Sequence, residues 1–76
     1  MNKARRQSLS IAEDLLARAK EVVEQARDEE QDAIDNLPEN LEYSDRASAM
    51  EEAVEALDSA IQSIEEAEEA IDEAKG

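Results

Sequence analysis

The sequence predicts an all-α fold, an antiparallel two-helix hairpin with a coiled-coil-like, alanine-rich seam, and three observations carry that prediction. Apolar residues recur at 3-4 spacing through both halves of the chain. Pro38, the one proline, separates the halves, and the connection around it is short. In the first half Leu9, Leu16, Val23 and Leu37 alternate with Ala12, Ala19, Ala26 and Ala33, with Glu30 as the exception at a large position. The second half repeats the rule with Met50, Leu57, Ile64 and Ile71 against Ala53, Ala60, Ala67 and Ala74. Sustained spacing of this kind marks helices. It outweighs the disorder that 39% charged residues and a single aromatic would otherwise imply.

Helix 1 is expected over about residues 3–36, the turn over 37–44 and helix 2 over about 45–75, all in one 1–76 domain. Ser10 and Glu13 form a capping-box pattern early in helix 1, although the residues before them are also good helix formers. Pro38 cannot continue a helix and biases Leu37 toward extended backbone, so helix 1 should stop at Asn36. Ser44 is the favoured N-cap of helix 2, ahead of the Ser48/Glu51 box. So short a connection makes the two helices antiparallel neighbours. Alanine at alternate seam positions should let them approach closely.

Leu41 and Tyr43 are expected to fold over the turn end as an apolar plug. Glu30 and Arg46, both at seam positions, are expected to form a structural bridge below it. Leu15, Val22, Val54 and Ile61 widen the apolar surface beyond one seam. Two covers stay open for this second face: another copy, giving a homodimeric four-helix bundle, or a different protein.

Charge divides the chain. The formal net charge is −14, yet residues 1–27 hold six Lys/Arg and four Asp/Glu, whereas residues 28–73 hold 18 Asp/Glu and only Arg46. Lys3, Arg5 and Arg6 are expected beside Glu68, Glu69, Asp72 and Glu73. The turn end concentrates Asp28, Glu29, Asp32, Asp35, Glu39, Glu42, Glu51, Glu52, Glu55 and Asp58, the candidate partner-binding acids. Rows of carboxylates at helical spacing either keep a small protein soluble or present a basic groove with a field like that of a nucleic-acid backbone. The same field opposes direct binding to DNA, RNA or anionic lipid.

Several chemistries are excluded. Without Cys or His there is no thiol nucleophile, no Ser-His-Asp relay and no ordinary zinc, haem or iron–sulfur site. A calcium loop through Asp28–Asp32 would need a turn glycine and would interrupt the heptads. Two helices form no walled pocket for a carboxylate pair to work in. The expectation is therefore a non-enzyme with no cofactor and no metal. No apolar run approaches the ~18 residues of a membrane span, and Met1–Arg6 leads into no signal-peptide core.

Residues 28–71, DEEQDAIDNLPENLEYSDRASAMEEAVEALDSAIQSIEEAEEAI, together with the opening MNKARR, resemble a group of small acidic helical-hairpin proteins of bacterial prophages and mobile elements. The distinctive segments are DEEQ, NLPENL, SDR and MEEAVEALDSAI. This resemblance implies a cytoplasmic setting in a host bacterium and an anti-defence role of the anti-CRISPR kind. The expected activity is non-catalytic inhibition, by nucleic-acid mimicry, of a host defence protein such as a CRISPR effector or nuclease. The alternative is a structural or adaptor hairpin that homodimerises and carries acids only for solubility.

Overall fold

A computed structural model describes residues 1–76 and contains two long helices, α1 (Lys3–Asp35) and α2 (Asp45–Lys75), packed as an antiparallel hairpin. The rod measures 59 × 14 × 12 Å between its outermost Cα atoms. No helix is long and apolar enough to cross a membrane.

Local chemistry sets the ends. Asn2 caps α1 by accepting the Arg5 backbone N–H at 2.8 Å, so the Ser10/Glu13 pattern starts nothing. The Ser10 hydroxyl instead donates back to the Arg6 carbonyl at 3.0 Å, inside the helix. At the other end Asn36 donates to the Asp32 carbonyl from both its backbone N–H and its side-chain amide. Pro38 then takes extended backbone (φ −59°, ψ 147°) and leads into a 3-10 turn, Glu39–Leu41. Ser44 caps α2 by accepting the Ala47 N–H at 3.2 Å, satisfying one of the donors that a helix start leaves free.

The seam differs in part from the expected alanine alternation: on α2 the proposed Ala53, Ala60 and Ala67 are half-buried at the seam's edge and only Ala74 is exposed. Of the α1 alanines proposed for it, Ala19, Ala26 and Ala33 are exposed and only Ala12 is half-buried. The half-buried positions also include Leu9, Glu13, Leu16, Lys20, Val23, Arg27, Glu30, Ile34 and Leu37, an unbroken 4-3 ladder. Three of the four residues of its second column, Glu13, Lys20 and Arg27, are long polar side chains whose methylenes cover the seam while their charged ends reach water, so a hydrophobicity pattern passes over them. On α2 the matching ladder runs through Ala47, Met50, Val54, Leu57, Ile61, Ile64, Glu68, Ile71 and Lys75. Val54 and Ile61 therefore belong to the seam and not to a second face. Only Ala47 (1% exposed) and Ile61 (7%) are buried, because two cylinders meeting along one line enclose little.

Three ion pairs cross between the helices: Glu13 with Lys75, Lys20 with Glu68 at 3.5 Å, and Arg27 with Asp58 at 3.1 Å. The paired residue numbers sum to 88, 88 and 85, higher than the expected value near 80. Side chains lean toward the N-terminus of their own helix, and in an antiparallel pair those leanings are opposed, so ends meet between residues whose numbers sum high. This corrects the Glu30–Arg46 bridge: the same rule places Glu30 opposite positions near 55–58, Arg46 is exposed, and no ion pair joins the two. Replacing Arg46 with Ala is expected to change stability by less than about 0.5 kcal/mol in urea denaturation, as for other exposed positions without a partner.

The plug over the turn is corrected as well. Tyr43 is 95% exposed and Leu41 39% exposed. The seam ends instead at Leu37 and Ala47. At the open end, Lys3 and Arg5 make no ion pair. Arg6 Nε donates to the Lys75 carbonyl at 3.0 Å, satisfying an acceptor of the last turn of α2, and Lys75 reaches Glu13.

Candidate functional site: two unlike faces of the hairpin

All ten candidate acids, Asp28, Glu29, Asp32, Asp35, Glu39, Glu42, Glu51, Glu52, Glu55 and Asp58, are exposed. They do not form one patch. At 100° per residue, Asp28 and Asp35 project from α1 on the side where the ion pairs cross, and Glu51, Glu55 and Asp58 project from α2 on that same side. Continued along α2, the row holds Glu65, Glu69 and Asp72. Asp32 and Glu52 point outward from the backs of their helices. Glu29 lies on the opposite flank, and Glu39 and Glu42 belong to the connection.

Arg27 organises the acidic side, a role not visible from composition. It contacts Asp58 and Asp28, each at 3.1 Å. The hydrogen bonds to Asp58 first and Asp28 second hold its guanidinium above its ordinary pKa, so it stays charged throughout the working range. Two acids expected to be uncompensated thus share one cation. The signal was available in sequence: Arg27 occupies the seam column of Lys20 and Glu13, seven residues apart. Asp28, at the start of the segment weighed for calcium, is engaged by this arginine.

At the turn end Ile34, Asp35, Leu37, Glu42, Tyr43 and Glu51 surround a shallow open depression of about 410 Å³. Ile34 and Leu37 supply its aliphatic lining, Asp35, Glu42 and Glu51 bring three carboxylates, and Tyr43 adds its ring. Such a mixture suits a guanidinium or ammonium on an alkyl stem. Carboxylates supply charge-assisted hydrogen bonds, an aromatic face attracts the cation, and the aliphatic lining covers methylenes.

The opposite side of the hairpin, where Glu29 lies, is otherwise mostly alanine and aliphatic. Leu15 (58% exposed) and Val22 (67%) stand out from α1 there, with Ala19, Ala26 and Ala33 between and beyond them, whereas Ile11 (61%), two residues from both Leu9 and Glu13 of the seam, points from the back of α1 as Asp32 does. On α2 the 3-4 ladder from Ala49 to Ala74 holds only alanine and one serine, Ser63. Of the four residues expected on a second face, Leu15 and Val22 are on it, and Val54 and Ile61 are in the seam. Of the eight alanines read as the contact between helices, Ala12, Ala53, Ala60 and Ala67 are half-buried at the seam's edge, and Ala19, Ala26, Ala33 and Ala74 are exposed on this flank. Comparison with family models, with curated proteins and with solved structures finds no match to this chain.

Proposed function

We propose that this hairpin is a non-catalytic inhibitor that occupies a basic nucleic-acid-binding surface of a host defence protein, such as a CRISPR effector or nuclease, by presenting carboxylates in place of phosphates. The observation that carries the reading is the row of exposed acids along one side, from Asp35 and Glu51 to Asp72, where Arg27 is the one cation on that side of the turn end, Arg46 lying in the column of Ala53 and Ala60 on the other flank. A rigid rod presents these charges at fixed spacing with little ordering cost on binding.

The placement of Asp32 and Asp35 adds support. They sit in the last turn of α1, which contains no basic residue. Acids at a helix C-terminus oppose the helix dipole, at about 0.3–1 kcal/mol each. A purely solubilising role would be served equally well by acids elsewhere. The position of Asp35 beside the depression, with Glu42, Glu51 and Tyr43, supplies a pocket for one arginine or lysine of the partner. The resemblance of residues 28–71 to acidic hairpins of prophages and mobile elements favours a defence protein as the owner of that basic groove.

The test is displacement of fluorescent DNA or RNA from a panel of purified bacterial nucleases and CRISPR effectors. Displacement from at least one is expected, with affinity falling more than ~10-fold between 50 and 200 mM salt, as interfaces built on several charge contacts require. The variant D35N/E42Q/E51Q/E55Q leaves every interhelical ion pair intact and should lose displacement while retaining its helical circular dichroism. Displacement that survives both high salt and this variant would reject charge mimicry, as would an entire panel left unaffected.

A further inference from the structure

From the chemistry of the turn-end depression, we infer that it takes the guanidinium of one arginine projecting from the partner, with Tyr43 as the stacking anchor, and that it selects arginine over lysine. The inference rests on the mimicry reading for the owner of that arginine and on the depression for its chemistry. Residues 28–58 hold twelve acids against Arg46, a net of −11 out of the chain's −14, so a cation is drawn first to this end of the rod. There Asp35, Glu42 and Glu51 surround a space of about 410 Å³, within the ~300–1,000 Å³ of small-ligand clefts. None of the chain's ion pairs involves these three acids. Asp35 accepts the Gln31 side-chain amide at 3.1 Å through one oxygen, leaving the other free.

Spacing selects the kind of cation. No three carboxylates of the chain come close enough together to hold one metal ion, so a point charge among Asp35, Glu42 and Glu51 cannot touch all of them. A guanidinium carries five N–H donors on a planar fork and reaches separated acceptors at once, whereas an ammonium is compact and more strongly hydrated. The ring points the same way. Tyr43, the one aromatic residue of the chain, is 95% exposed beside these acids. It adds nothing to the core there and is free to lie flat against a guanidinium plane. Ile34 and Leu37, the last two residues of the α1 ladder, are half-buried and offer aliphatic surface to the arginine methylenes. Tyrosine and arginine are also the side chains that carry most binding energy at interfaces, where such residues tend to meet in pairs.

The test is an NMR amide-shift titration of the full isotope-labelled chain with the blocked tripeptide acetyl-Ala-Arg-Ala-amide at fixed ionic strength, beside its lysine and citrulline counterparts. The arginine peptide should give saturable shifts centred on residues 34–51. The lysine peptide should bind about threefold more weakly or worse, and the citrulline peptide, which keeps the shape and lacks the charge, should not saturate. E42Q/E51Q should weaken arginine binding about tenfold, because charge-assisted hydrogen bonds are lost. Y43A leaves the net charge at −14 and should still weaken it about threefold. D14N/E21Q removes as much charge far from the turn and should change binding less than about twofold. The inference is overturned by any of four results: no saturable shift with the arginine peptide, lysine bound as tightly, Y43A at parent strength, or D14N/E21Q as damaging as E42Q/E51Q. The tripeptide reports on the depression alone, so such a failure leaves charge mimicry to be decided by nucleic-acid displacement.

Discussion

Ile61→Asp is expected to abolish the fold, with loss of most helical circular dichroism at 25 °C. Ile61 is the one large side chain buried in this hairpin, at 7% exposure and midway along α2. A carboxylate there would have to be protonated or drag the helices apart, since burying an unpaired charge costs several kcal/mol. A chain of this size has only a few kcal/mol in reserve. Graded substitutions give the same answer in smaller steps. Ile61→Val should cost about 0.5–1.5 kcal/mol and Ile61→Ala about 2–5 kcal/mol. Urea denaturation at one fixed protein concentration measures both. If Ile61→Ala lay within 0.5 kcal/mol of the parent chain, the seam would not be the source of stability.

Ala47→Glu should open the turn end. Ala47 is 1% exposed, in the first turn of α2, with its N–H on the Ser44 cap. The substitution adds both bulk and charge where no space exists, and the combined cost should exceed about 3 kcal/mol. Ser48→Glu, one residue on and exposed, is the control. An acid in the first turn suits the helix dipole, so that change should fall within about 0.5 kcal/mol. Equal effects at the two positions would show that Ala47 is not a packing site.

The hairpin itself was legible because its determinants are local. Pro38 and the capping residues act within a few positions, and the large residues Leu9, Leu16, Val23, Met50, Leu57, Ile64 and Ile71 mark one column of each helix correctly. On α1 the second column was misread because two columns flank the first, one of alanine and one chiefly of long polar side chains. Hydropathy there chooses alanine, and on α2 the same alanine repeat was followed although Val54 and Ile61 are the more apolar choice. The physics chooses the column whose side chains reach across, and Glu13, Lys20, Arg27 and Lys75 do so with methylene stems and charged ends. Once the column is wrong, Val54 and Ile61 fall outside the seam and Glu30 seems to need Arg46. The acids were legible as residues but not as a surface, since assigning each to a side depends on which column faces inward.

The three crossing ion pairs have a consequence separate from their strength, which for half-exposed pairs is about 0–1 kcal/mol each. Two helices with heptad repeats can slide past one another by seven residues and still bury apolar columns. Slid one way, Lys20 would oppose Lys75, Glu13 would lose its partner and only Arg27 would find an acid, Glu68. Slid the other way, Glu13 would oppose Glu68 while Lys20 and Arg27 met Ile61 and Val54. The order Glu, Lys, Arg on α1 against Lys, Glu, Asp on α2 works like a vernier, whose marks coincide at a single setting. It disfavours the slipped alignments, which bring like charges together, offer apolar partners to cations or leave charges unpaired, whereas a uniformly apolar pair of columns would leave them nearly equal in energy.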